Sequence, residues 1–212
     1  MNTYFPSDYQ AFIHTSRYAK WLDSENRREN WGETVNRYVD NLVLPKITDD
    51  ETVMAVREAI TNLDVMPSMR AMMSSGKAFD RDNTAGYNCS YLPVDDIRSF
   101  DEAMFILLCG TGVGFSVERQ YVNELPIVPM NLINLDETII VADSKEGWAW
   151  SLRTLITSLY NGVVPKWDVT RVRPAGAKLR TFGGRASGPA PLVDLFQFVV
   201  SKFKEASGDR LT

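Results

Sequence analysis

Between residues 86 and 117 the chain spells a strand, a helix and a second strand in close succession, and few folds accommodate that order. GYNCSYLP (86–93) carries aromatic and branched residues and ends at a proline, which suits a short strand. SFDEAMFILLCG (99–110) has the length and apolar spacing of a helix, with Phe100, Met104, Ile106, Leu107 and Leu108 expected inside. GTGVGFSV (110–117) then turns on glycine into β-branched and aromatic residues, a turn followed by a strand. Tyr91, Leu92 and Val94 are expected to be buried. Alternating helix and strand indicates an α/β protein.

The flanks differ from each other. Residues 7–75 read mostly as helix. SDYQAFIHTSRYAKWL is broken by the polar DSENRREN, and Trp31, Val35, Tyr38, Val39 and Leu42 then share one helical face. In ITDDETVMAVREAITNL, Thr48 precedes an acidic first turn, and Val53, Val56 and Ile60 line one side. Pro67 ends that run. After residue 117, Pro126 and Pro129 disfavour helix and ETIIVAD resembles a strand. GWAWSLRTLITSLYNG is an amphipathic helix that Gly162 can terminate, and PLVDLFQFVVSKFKEA is a last helix. Between these two helices lies the glycine- and proline-rich VRPAGAKLRTFGGRASGPAP.

Several functions are disfavoured by what the chain contains. A net charge of −4 lacks the basic footprint of a general nucleic-acid binder. No apolar run reaches the length of a membrane span, and MNTYFPSDYQ lacks a signal-peptide pattern, so a cytoplasmic location is expected. Two cysteines form no disulfide framework, and no Cys/His cluster suggests a metal site. The single histidine, His14, has no partner histidine and reads as structural.

Three stretches can carry chemistry. GTGVGFS follows a helix, whereas a dinucleotide fingerprint precedes one, so its glycines point to close backbone packing. KLRTFGGRASGP surrounds Gly183 and Gly184 with Lys178, Arg180 and Arg185, a combination of backbone N–H groups and guanidinium forks suited to an anion. Cys89 lies between Asn88 and Ser90 on the first strand; a thiol there is a redox donor if it faces a pocket and core if it does not.

Together these stretches resemble the ribonucleotide reductases, in particular the adenosylcobalamin-dependent (class II), monomeric-type ribonucleoside-triphosphate reductases. RYAKWL, ENWGETVNRYVD, MPSMRAM, GYNCSYLPVDD, FDEAMFILLCGTGVGFSV, DSKEGWAWSL, VRPAGAKLRTFGGRASGPAPL and GDRLT occur in the family's order over most of residues 17–212. The resemblance implies a helical N-terminal domain (1–75), then the first part of a ten-stranded α/β barrel (76–212). The latter includes a shortened effector-region insertion (about 119–170) and a first specificity loop (about 178–189). It implies that Cys89 is one of two thiols that reduce the ribose 2′ position and are re-reduced by thioredoxin. Ser68, with Asn88 and Ser90, would meet the substrate, a ribonucleoside triphosphate. Asp96, Arg180 and Arg185 would contact a deoxynucleotide effector. Adenosylcobalamin would be the cofactor of the complete enzyme. The second redox cysteine and the thiyl cysteine match positions beyond GDRLT, so a second chain supplying them is expected. Cys109 does not match a redox position and reads as core. Two other readings stay open: a non-catalytic nucleotide-binding module keeping Ser68 and the 180–188 loop, and an inert remnant.

Overall fold

The structure is a computed structural model that describes residues 4–179 and 184–211. It divides into two compact units, with the division between Tyr87 and Asn88. The boundary expected near residue 75 falls just after the fourth helix.

The first unit is built on helices α1 (Asp8–Ile13), α2 (Trp31–Tyr38), α3 (Asp50–Thr61) and α4 (Met69–Ser74). α1 and α2 each run on into a wider π-helical turn, His14–Tyr18 and Val39–Val43. Where one continuous helix was expected to reach Leu22, the chain instead leaves the helix at Ala19. It then forms a two-residue ladder, β1 (Trp21–Leu22) against β2 (Arg27–Arg28), antiparallel. The polar stretch between these strands carries Asn26 at a φ of 51°, a conformation asparagine tolerates better than most residues.

Asn30 opens α2 with a capping box. Its Oδ1 accepts from the Glu33 N–H at 2.9 Å, while the Glu33 carboxylate accepts from the Asn30 N–H at 2.7 Å. α3 is capped one residue later than expected, by Asp49, whose Oδ2 accepts from the Thr52 N–H. The face read from the sequence is the core: Trp31, Val35, Val39, Val53, Ile60 and Met72 are buried together. Burying Trp31 is compatible with its indole N–H because that group donates to the Thr61 carbonyl at 3.0 Å. His14 is buried between the Phe5 and Trp31 rings and hydrogen-bonded with Thr34 Oγ1; burial lowers its pKa.

The second unit contains two β-α-β units. In the first, β3 (Cys89–Pro93) leads through α5 (Ser99–Leu108) to β4 (Gly112–Ser116). In the second, β5 (Ile133–Ile140) leads through α7 (Lys145–Tyr160) to β6 (Val163–Asp168); a short α6 (Arg119–Val122) lies between the two units and α8 (Ala190–Glu205) follows. Both strand pairs are parallel, as the helical crossovers require. The main core joins α7, α8 and the β5–β6 pair through Leu152, Leu155, Ile156, Leu159, Leu192 and Phe196. α7 ends as expected at Gly162, whose φ of 81° is the left-handed conformation that closes a helix.

Two burial expectations are corrected. Leu107 and Leu108 on α5 are 57% and 38% exposed, and Tyr91 on β3 is 63% exposed. Phe100 and Met104 do pack against the core, Ile106 and Leu92 are half-buried, and Val94 is buried. Spacing marks which residues share a face, but it does not say what covers that face.

Candidate functional site

The site begins at the first residue of β3. Cys89 is exposed and free, and it pairs in register with Gly112 of β4. The parallel ladder runs Cys89–Gly112, Ser90–Val113, Tyr91–Gly114, Leu92–Phe115 and Pro93–Ser116. Side chains alternate along a strand, so Cys89, Tyr91 and Pro93 lie on one face, and Ser90 and Leu92 on the other. The neighbours expected around the thiol are therefore divided. Asn88, exposed, holds the start of the ladder through its carbonyl, which accepts from the Gly112 N–H at 3.0 Å. Ser90 lies on the opposite face and donates its hydroxyl to the Gly112 carbonyl at 3.2 Å.

The Tyr91 hydroxyl is hydrogen-bonded with Tyr121 and Ser116, and the bond to Tyr121 raises its pKa. The Ser116 hydroxyl in turn donates to Glu118 at 3.0 Å. Ser116 pairs with Pro93, at the other end of the ladder from Cys89.

Cys109, the other thiol, is buried at the C-terminal end of α5. Lys145 Nζ donates to its sulfur at 3.0 Å while lying 4.6 Å from the Phe105 ring centre. Cys109 is thus part of the α5–α7 packing, as expected of a core residue.

Asp96 sits in the turn ahead of α5. Its Oδ1 accepts from the Arg98 N–H at 2.7 Å and its carbonyl from the Ser99 N–H, leaving the carboxylate exposed. Arg185 pairs with Lys178 in an isolated antiparallel bridge. Its guanidinium donates to the Gly176 carbonyl at 2.9 Å. Arg180 lies outside the described residues. Ser68, in the first unit, is the exposed residue that caps α4; its hydroxyl makes no capping bond, and its carbonyl accepts from Met72 N–H.

Sequence reading missed the ion pairs that hold these elements. Arg153 of α7 grips Asp101 of α5 through two bonds, and Arg173 pairs with Asp143 at 2.8 Å. In the first unit Glu29 is buried, yet it accepts from Arg37, the Lys20 N–H and Thr34. Burial raises its pKa, but the Arg37 and backbone bonds outweigh this and the net shift is downward. Partners 8 to 52 residues apart left no local signal.

The described residues thus present an exposed thiol at the head of the first strand of a β-α-β unit, in a chain whose preceding unit is helical. Residues 131–202 match the family described as B12-dependent ribonucleotide reductase, insertion domain. The adenosylcobalamin-dependent ribonucleoside-triphosphate reductase of Lactobacillus gasseri is 26% identical over 92% of this chain, and that of Lactobacillus helveticus is 28% identical over 92%. A crystal structure of a B12-dependent (class II) ribonucleotide reductase superposes with a TM-score of 0.79 at 25% identity, covering 95% of this chain and 38% of the other. The chain is similar over nearly its whole length to part of the class II ribonucleotide reductases. It spans about 36% of the length of the curated relatives it matches.

Proposed function

We propose that this chain supplies the first part of a class II reductase that converts ribonucleoside triphosphates to 2′-deoxyribonucleotides, with Cys89 as one of its two reducing thiols. The observation that carries the reading is the exposed, free Cys89 at the head of β3, in a chain similar over nearly its whole length to such reductases.

Removing the ribose 2′-hydroxyl as water takes two electrons. Two thiols supply them and become a disulfide, so a second sulfur must come within bonding range of Cys89. Cys109 is unsuited to that role, being buried and engaged by Lys145. The second thiol therefore belongs to sequence outside these 212 residues, in a further stretch of the same protein or in a second chain. Thioredoxin then reduces the disulfide by thiol exchange. The exposed Ser68 hydroxyl is available to the substrate's phosphate end, while Asp96, Arg180 and Arg185 would read a deoxynucleotide effector in a cytoplasmic enzyme.

The relatives are adenosylcobalamin-dependent by name. Adenosylcobalamin starts radical chemistry of this kind. The cavity between α5 and α7, about 390 Å³, is lined by Asp101, Phe105, Trp150 and Arg153 among others; it does not border Cys89. A space of that size suits small drug-like molecules at most. That cavity does not fit a corrin.

The test is adenosylcobalamin-dependent reduction of CTP, with thioredoxin or dithiothreitol, by this chain combined with the C-terminal remainder of the enzyme. Multiple turnovers that disappear in Cys89→Ser support the proposal. A folded mixture without turnover overturns it; deoxynucleotide binding would then favour a binding module, and its lack an inert remnant.

A further inference from the structure

Cys109 has no part in the reduction described above, yet its sulfur is held against an amine. It caps the C-terminal end of α5 at 1% exposure, and Lys145, the first residue of α7, brings Nζ to 3.0 Å from Sγ. The same nitrogen lies farther, at 4.0 Å, from the Glu146 carboxylate. The Phe105 ring centre is 4.6 Å from it. Lys145 keeps 19% of its side chain exposed, an opening for a molecule little larger than water but not for a bulky reagent.

An ammonium in contact with a thiol favours the thiolate, the form that attacks peroxide to give a sulfenic acid. A sulfenic acid condenses with a thiol or a nitrogen within reach. The adjoining backbone amide is already engaged, since the Gly110 N–H donates to the Leu107 carbonyl at 2.8 Å. The other thiol of the chain, Cys89, is exposed at the head of β3. The Lys145 amine is in contact with the sulfur from the start.

We propose that Cys109 and Lys145 form a reversible covalent S–N link, a sulfenamide, when the chain meets hydrogen peroxide. The thiolate attacks one peroxide oxygen. The S–O bond forms, the O–O bond breaks, and the departing hydroxide takes a proton from the Lys145 ammonium and leaves as water. The neutral amine then attacks sulfur. The S–N bond forms, the S–O bond breaks, and the released hydroxide takes one of the nitrogen's protons, again leaving as water. Sulfur loses two electrons and the peroxide gains them; a thiol reductant returns two and restores both side chains. The link ties the end of α5 to the start of α7 and so clamps the two β-α-β units together. It involves neither Cys89 nor a nucleotide.

The experiment uses the Cys89→Ser chain, in which no disulfide can form within one molecule, and a second chain that also carries Lys145→Met. Both are treated with hydrogen peroxide at a dose that oxidises Cys89 in wild type, then followed by peptide mass spectrometry and thermal unfolding. The expected result in Cys89→Ser is a joined pair of peptides, one holding Cys109 and the other Lys145, lighter than their sum by two hydrogens and separated again by dithiothreitol. The unfolding midpoint should rise with the link, which constrains the unfolded chain, and fall back with dithiothreitol. The Lys145→Met chain should show neither change. An unmodified Cys109, a Cys109 that carries oxygen on an unjoined peptide, or a joined pair of any other mass overturns the proposal. A link with an unchanged midpoint, or a rise that persists in Lys145→Met, overturns the clamp. The peptide result needs only Cys89→Ser, a change at an exposed position, so it decides the matter even where Lys145→Met does not fold.

Discussion

Arg153 on α7 holds Asp101 on α5 in a two-pronged grip, Nε to Oδ1 at 2.9 Å and a terminal nitrogen to Oδ2 at 2.6 Å. The two side chains are unequally placed, Asp101 at 6% exposure and Arg153 at 37%. The pair joins the helix of one β-α-β unit to the helix of the other. The carboxylate draws its stability from the guanidinium, while the guanidinium retains access to water, and its pKa is raised by the bond to Asp101.

That asymmetry predicts unequal truncations. Arg153→Ala leaves a buried carboxylate without its cation and should cost about 2–3 kcal/mol. Asp101→Ala leaves a partly hydrated arginine and should cost about 1 kcal/mol. Urea unfolding of the two variants measures both; equal costs would show that burial does not set the balance.

The Glu29 network predicts a pH dependence. Its carboxyl is held below the ordinary value of 4.5, although burial alone would raise it, because Arg37, the Lys20 N–H and Thr34 bond the charged form. The unfolded chain therefore binds the proton first as pH falls, so the contribution is full above 4.5 and is lost as pH drops through the folded value. Unfolding midpoints measured downward from pH 5 should fall more steeply in wild type than in Glu29→Gln. Parallel profiles would count against it.

The two thiols should separate by kinetics. Cys89 is exposed and Cys109 is buried against Lys145. A chromogenic disulfide reagent should titrate one thiol promptly in the native chain and the second only in denaturant. Cys89→Ser should remove the prompt phase, and two prompt thiols in wild type would contradict the placement of Cys109.

Gly162 should resist substitution. Its φ is 81°, and an added Cβ would lie 3.2 Å from the Asn131 carbonyl. Gly162→Ala should therefore cost about 1–2 kcal/mol in thermal or urea unfolding. A neutral outcome would mean that the end of α7 relaxes into another conformation.

By itself the sequence determined the elements whose signal is local. Helical spacing announced α2 through Trp31, Val35 and Val39, all three fully buried. Length and apolar content marked α7 and α8, and branched and aromatic residues after a turn marked β3 and β4. The Cys89 motif and the 172–192 loop carried the family resemblance, because chemistry of this kind is written in short contiguous stretches. β6 was not anticipated: VVPKWD is short and contains a proline, and its strand character comes from pairing with β5. The β1–β2 ladder escaped for the same reason.

Tertiary structure alone decided the rest. It set Gly112 opposite Cys89, a register fixed by where the α5 crossover returns the chain to the sheet. It left Leu107, Leu108 and Tyr91 uncovered, and it gave Glu29 and Asp101 their cations. Periodicity records which residues share a face, through bonds a few residues long. Whether that face meets core, solvent or substrate depends on partners brought near only by folding.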